Sequence, residues 1–217
     1  MERGRRLQAE GALALGDARA KYCVFDMDGT LISLPVEWDK VRAELQRLTG
    51  TSLQFNPFFL DVQTIVAKDP LLLGPMMRAI DDYESRAVAQ AKLEDGALEA
   101  LSALSKRAKL SLVTMQGRAV CDKILGRLGL ERFFPSSFTR EDSMDRTAQL
   151  RMALESLGAK EAEAIFVGDR INDLNAARNA GVRFVMIRKR RDSPPADALY
   201  RSMVDFAASP WVKGADQ

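Results

Sequence analysis

Four short apolar runs, separated by stretches of helical period, constrain the fold of this chain more than any other feature. They are Tyr22 to Phe25, Leu110 to Thr114, Ala164 to Val167 and Arg183 to Ile187. Their brevity and their Val, Ile, Tyr and Phe content mark buried strands. Between them, Leu98, Leu101 and Leu104, then Val120, Ile124, Leu125 and Leu128, then Leu150, Leu154 and Leu157 recur at helical spacing. Strands alternating with helices read as an α/β chain with a Rossmann-like parallel sheet wrapped on both faces. A length of 217 residues, 47% of them hydrophobic, suffices for one such domain and a modest insertion.

The segment from about Leu34 to Asp95 breaks the rhythm. It carries no strand-like run and shows helical spacing instead, as at Trp38, Val41, Leu45 and Leu48. Pro35 suits the first turn of its opening helix, and Gly50, Pro57, Pro70, Gly74 and Pro75 divide it into several short helices. Placed directly after the first strand, this insertion stands over the carboxyl end of the sheet, where open α/β sheets bind their ligands. The expected division is an N-terminal extension at 1–20, a core made of 21–33 and 96–217, and a helical insertion at 34–95. Within the extension, Arg3, Arg5, Arg6 and Arg19 alternate with Glu2, Glu10 and Asp17, which favours a loosely docked segment over an organelle-targeting peptide. The basic run at 188–191 ahead of Pro194-Pro195 reads as a solvated loop, or as a contact for an anionic substrate because it follows a strand. From Ser209 onward the chain reads as a frayed terminus, with Trp211 docking it.

Composition removes several classes of function. Thirty-two basic against 30 acidic residues leave +2, far from the clustered positive charge of a nucleic-acid binder, so small molecules are the expected partners. No apolar run reaches the roughly 18 residues of a membrane span. Cys23 and Cys121 lie in apolar surroundings without CxxC spacing, which suggests neither a disulfide scaffold nor a zinc site and suits a reducing cytoplasm. Histidine is absent altogether, so catalysis must rest on carboxylates, Lys or Arg, hydroxyls and backbone dipoles.

The chemistry concentrates where strands run out. Asp26-Met27-Asp28-Gly29-Thr30 places two carboxylates two residues apart at the end of the first strand, where extended geometry points both side chains toward one site. Gly29 permits a tight turn there. Leu112-Val113-Thr114 ends the second run in a hydroxyl, and Gly168-Asp169-Arg170-Ile171-Asn172-Asp173 follows the third. In these strings and in their order the sequence resembles the haloacid dehalogenase superfamily of Rossmann-like phosphotransferases. Residues 26–30 match its DxDGT motif, Thr114 its second motif and residues 168–173 its GDxxxD motif, with the likeness running from about Tyr22 to Phe206. The insertion after the first motif resembles a helical cap, as in phosphoglycolate phosphatase-like members.

The resemblance implies a Mg²⁺-dependent hydrolase of a small phosphorylated metabolite. Asp26 would be the covalent nucleophile and Asp28 the acid and then base. Asp26 and Asp169 would give carboxylate oxygens to Mg²⁺, Asp28 its backbone carbonyl, and Asp173 would act through water or neighbours, or else serve only as a helix N-terminal charge. Thr114, with the backbone amides of the turn Met115-Gln116-Gly117, would hold the phosphate's outer oxygens. One departure stands out. The family's third-motif Lys is missing, since no Lys lies between Lys123 and Lys160. Counting back from the helix end at Leu157-Gly158, Arg146 falls at its position, with Arg140 a weaker candidate and a plain helix-start residue the alternative. Trp38 and Arg42 could reach substrate, and Arg118 and Arg170 either bind a second anionic group or stand as solvated surface residues, while Phe55, Phe58, Phe59, Met76 and Met77 read as core. A phosphosugar mutase is the nearest competing activity, and a catalytically weak binding or regulatory member is the competing class. Dehalogenation is disfavoured because Asp28 is present.

Overall fold

The computed structural model describes residues 20–187 and 196–211. The N-terminal extension to residue 19, the basic run at 188–191 and the chain beyond Trp211 lie outside the described residues. In chain order the elements are β1 (Tyr22–Phe25), β2 (Ile32–Ser33), α1 (Trp38–Thr49), α2 (Phe58–Lys68), α3 (Leu73–Ala87), β3 (Lys92–Leu93), α4 (Ala97–Leu104), β4 (Lys109–Val113), α5 (Arg118–Leu128), β5 (Ser137–Phe138), α6 (Arg146–Leu157), β6 (Ala164–Gly168), α7 (Ile171–Ala180), β7 (Arg183–Ile187), β8 (Ala198–Tyr200) and α8 (Met203–Ala207).

Six strands form one sheet in the order β5-β4-β1-β6-β7-β8, every pairing parallel. The chain leaves β1 toward β4 and β5, then crosses back to β6 on the other side. That reversal opens a crevice at the carboxyl end of β1, between the ends of β4 and β6. Each central strand is buried on both faces, as Cys23, Val24 and Phe25 show, which is why these runs are continuously apolar rather than alternating.

Two apolar clusters line the two faces. On one side Leu150, Ala153 and Leu154 of α6 and Leu174, Ala176 and Ala177 of α7 pack on Val24, Phe166 and Phe184. On the other, Leu101 and Leu104 of α4 and Val120 and Ile124 of α5 pack on Cys23, Phe25 and Leu112. Val41, Leu45, Val62, Met76 and Ile80 from the inserted helices belong to this second cluster, so the insertion shares the core of the sheet. Phe55 and Met76 are fully enclosed there, and Trp38 packs edge-on against Phe58 with ring centres 5.1 Å apart.

The structure corrects the expectation that 34–95 carries no strand. Lys92–Leu93 pairs antiparallel with Ile32–Ser33 and ties together the two ends of the insertion. The edge strands β5 and β8 also lack a sequence signature, since two or three half-exposed residues cannot display a periodicity. Trp211 is buried and its carbonyl accepts from the Ala20 amide at 2.8 Å, which anchors the end of the described chain beside β1. Cys23 and Cys121 are buried free thiols. Among the described residues no helix is long and apolar enough to cross a membrane.

Phe184 lies fully buried on β7, its ring edge-on to Phe166 at 5.8 Å. Phe184→Ala is expected to cost about 3–5 kcal/mol of unfolding free energy, because both the transfer term and the cavity are large in such a site. Urea unfolding measures it, and a loss below about 1 kcal/mol would place Phe184 outside the core.

Candidate active site

The crevice is built from the ends of β1, β4 and β6. The Asp26 amide donates to the Val167 carbonyl at 2.9 Å, which carries the β1–β6 ladder one residue past β1 and fixes Asp26 at its mouth. The chain then turns sharply: Met27 is buried and its carbonyl accepts from the amides of Leu31 at 2.9 Å and Ile32 at 3.1 Å. Gly29 takes φ 92° in that turn, and a Cβ there would lie 2.5 Å from Asp169 Oδ2. Only a residue without a side chain lets the two acidic loops close on each other. At Gly168 a Cβ would lie 2.7 Å from Asp173 Oδ2, so the approach is equally tight on the other side.

Asp26, Asp169 and Asp173 converge, with one carboxylate oxygen from each lying within 4.8 Å of the others. At about 4 Å two like charges repel by about 4 kcal/mol even at an effective dielectric constant near 20. Burial adds to the penalty. It pushes the Asp26 carboxyl up to about 8, against the pull of Arg146, and the Asp169 carboxyl up to about 6, against the pull of Arg170. Asp169 Oδ1 is buried with no hydrogen-bond partner. An all-oxygen acidic cluster with an orphaned carboxylate oxygen fits a hard divalent cation.

The sequence-singled residues fall into place as follows. Arg146 opens α6 behind the Asp145 cap and pairs with Asp26 through Nη2, with Asp173 through Nε at 2.9 Å and with Gln149 Oε1 through Nη1 at 3.2 Å. Its guanidinium lies 5.8 Å from the centre of the Phe166 ring. Arg140, the weaker candidate, is not brought to the aspartates. It is buried against Glu84 and Asp81 of α3 instead. Asp173 accepts from the Arg170 amide at 3.1 Å with Oδ2 while Oδ1 takes Arg146, so it caps α7 and orients the arginine at once. Asp28 stands apart from the three-carboxylate cluster. Its Oδ1 accepts from the Leu34 amide at 3.0 Å and its Oδ2 lies 3.5 Å from Arg170 Nη2. Burial raises its pKa, opposed by that amide and by Arg170.

Thr114 is buried at the end of β4, with its hydroxyl donating to Gln116 Oε1 and accepting from the Gln116 amide at 3.3 Å. Of the amides of Met115-Gln116-Gly117 that the sequence offers to a phosphate, the last is already engaged. Gly117 donates its amide to Glu84 Oε2 at 3.2 Å and Arg118 donates its amide to Glu141 at 3.0 Å, so side-chain carboxylates already satisfy the start of α5. Arg118 is held by Ser137 and Asp142, whereas Arg170 is largely exposed at the rim and faces Asp28 and Asp169. The described contacts of Trp38 and Arg42 lie inside the insertion, against Phe58 and Asp39.

Two residues escaped the sequence reading. Gln149 is fully buried and donates Nε2 to the carbonyls of Thr114 at 2.9 Å and Ser143 at 2.8 Å, joining the second motif to Arg146. Glu84 is fully buried, and burial pushes its carboxyl up to about 7 although Arg140 pulls against it. A signal existed for each. Gln149 lies three residues after Arg146, and Glu84 falls on the stripe Met76, Ile80, Glu84 and Ala87 where only apolar residues are expected.

Comparison with known proteins agrees with this geometry. The family model for haloacid dehalogenase-like hydrolases matches residues 41–187. The chain is 27% identical over 213 residues to a phosphoglycolate phosphatase of Agrobacterium fabrum, covering 85% of this chain and 88% of that protein. It is 26% identical over 188 residues to the N-acetylmuramic acid 6-phosphate phosphatase of Pseudomonas aeruginosa, covering 78% and 82% of the two chains. Among solved structures, a haloacid dehalogenase-like family protein from Streptococcus pneumoniae superposes with a TM-score of 0.67 at 16% identity over 87% of this chain and 97% of its own. A HAD phosphatase from Thermococcus onnurineus does so with a TM-score of 0.61 at 21% identity over 86% and 96%. With sheet order, acidic cluster and sequence likeness in agreement, the chain belongs to the haloacid dehalogenase-like hydrolase family and is a phosphoglycolate phosphatase-like phosphatase of that family.

Proposed function

We propose that this phosphatase is a Mg²⁺-dependent hydrolase of a small phosphorylated metabolite that works through an aspartyl-phosphate on Asp26. The observation that carries the reading is the buried junction of Asp26, Asp169 and Asp173 with Arg146. The relatives' printed substrates, phosphoglycolate and N-acetylmuramic acid 6-phosphate, are small phosphomonoesters, which supports the substrate class. The buried free thiols fit a reducing, cytoplasmic setting.

Asp26 and Asp169, with the Asp28 carbonyl and Asp173 in support, would hold the cation. When bound, Mg²⁺ would supply the positive charge that lets the clustered carboxylates stay ionised and offsets the negative charge of the phosphate. One oxygen of Asp26 forms the new bond to phosphorus as the ester P–O bond breaks in line with it. Asp28 gives its proton to the departing alkoxide. It then takes a proton from the water that attacks the aspartyl-phosphate, which frees Asp26 and releases inorganic phosphate. Thr114, with the amides of Met115 and Gln116, holds the outer phosphate oxygens. Arg146 fills the role of the absent lysine, orienting Asp26 and offsetting its charge while anchored on Asp173 and Gln149. Residues 34–95 act as a cap over the crevice, as their contacts with the core suggest, among them Gln63 Nε2 to the Met144 carbonyl at 3.0 Å.

Three outcomes test this. Mg²⁺ at about a hundred times its Kd is expected to stabilise the fold by about 2.7 kcal/mol. Asp169→Asn should abolish that shift in the melting temperature, and the absence of any Mg²⁺ effect on melting or turnover would remove the metal from the reading. After brief exposure to a phosphomonoester, acid-quenched mass spectrometry should find one phosphoryl group on Asp26 that Asp26→Asn lacks; a labelled residue elsewhere would move the nucleophile. Arg146→Gln should lower kcat by about 10²–10³-fold, the usual loss of a preorganised charge partner, and Arg146→Lys should restore part of it. An Arg146→Gln enzyme with wild-type kcat would show that the cation comes from another residue.

A further inference from the structure

Two residues with no part in the chemistry above grip the phosphate-binding turn from outside. Glu84 projects from α3 of the insertion, and Arg140 lies in the core between β5 and α6, their side chains 0% and 1% exposed. Arg140 Nη1 lies 2.9 Å from both carboxylate oxygens of Glu84 and donates to the Met115 carbonyl at 2.8 Å, while its Nη2 pairs with Asp81. Glu84 Oε2 accepts from the Gly117 amide. Gly117 is the N-cap residue of α5, and Glu84 takes its amide from another element while Glu141 takes the next amide, that of Arg118. The fit is close, since a Cβ on Gly117 would lie 2.5 Å from Asp81 Oδ1 and 2.8 Å from Arg140 Nη2.

Fold stability alone does not account for this pair. A buried ion pair is often no more stabilising than apolar side chains of similar volume, and the neighbours of Glu84 on its helix face are Met76, Ile80 and Ala87. What an apolar pair could not do is bind the backbone on both sides of Gln116. We propose that Glu84 and Arg140 are positioning residues for the phosphate-binding turn, holding Met115 and Gly117 so that Thr114 faces the phosphate at Asp26 only while α3 is docked. The inference rests on the phosphatase reading and adds the elements on which that site depends.

The test is the double variant Glu84→Leu/Arg140→Met, which removes both charges and keeps most of the volume. Its melting temperature is expected to stay within a few degrees of wild type. Inhibition by inorganic phosphate should weaken by about tenfold and kcat/KM on p-nitrophenyl phosphate should fall by about a hundredfold, the scale of a misplacement near 1 Å. A double variant that melts like wild type and keeps wild-type kinetics and phosphate inhibition overturns the proposal. Should it fail to fold, hydrogen exchange on the wild-type protein decides. Saturating orthovanadate with Mg²⁺ should slow exchange at 114–118 and at 81–87 together, and protection of the turn with α3 unchanged refutes the coupling. A wild-type protein that hydrolyses no phosphomonoester strikes the phosphatase reading itself, an outcome distinct from failure of the pair.

Discussion

Three carboxylates packed within 4.8 Å at the mouth of a parallel sheet are the constraint to which the rest of the site answers. They meet because β1 and β6 are hydrogen-bonded neighbours, each is followed directly by an aspartate, and α7 brings Asp173 back over the end of β6. Left alone the cluster would repel itself and lose hydration, and the surroundings relieve both. Arg146 lies between Asp26 and Asp173, Gln149 steadies the guanidinium, and Phe166 lies beside it. Gly29 and Gly168 leave out the side chains that would hold the loops apart. The remaining imbalance, a buried oxygen on Asp169 that takes no hydrogen bond and has only Arg170 Nε at 3.8 Å, is the demand a divalent cation would meet.

The inserted helices are bound into the same scheme. Their apolar face is continuous with the core on the α4 and α5 side of the sheet, and core arginines hold α3 and the segment that follows it. Arg140 takes Glu84 and Asp81, while Arg127 donates to the carbonyls of Ala91 at 2.7 Å and Ala89 at 2.8 Å. The turn that follows β4 is therefore braced by the core through Gln149 and by the insertion through Glu84. Glu84 bonds the Gly117 amide directly, so no intermediate residue separates α3 from the backbone of that turn.

The central sheet was legible in the sequence because strands buried on both faces must be apolar throughout, as Tyr22–Phe25 and Ala164–Gly168 are. Helices α4 to α6 were legible because each presents one apolar stripe to the sheet. The short pair β2 and β3 was hidden, since two residues carry no period, as were the edge strands. In the site, the DxDGT and GDxxxD strings announced the acidic residues, since their spacing reflects turn geometry at strand ends. Glu84 was only half marked. Its place on the stripe Met76, Ile80, Glu84 and Ala87 points to burial, but nothing local names the partner that burial requires, since Arg140 lies 56 residues away.

The sequence by itself determined which kinds of group could act, namely carboxylates, a hydroxyl and arginines with no histidine, and which of them stand where a strand becomes a turn. These are local properties, written in composition and in periods of two and 3.6 residues. Only the tertiary structure shows which of Arg146 and Arg140 reaches Asp26, since one opens α6, the other lies six residues before it, and both could carry the charge. One closes a path of 120 residues to reach Asp26, and the other turns away to Glu84. That choice depends on the order of strands in the sheet and on where the insertion docks, which no local spacing encodes. The Asp26 and Asp28 pair divided in the same way. Two carboxylates only two positions apart in the strand-end motif ended in different surroundings, one against Arg146 in the buried cluster and the other against the Leu34 amide and Arg170 at the rim.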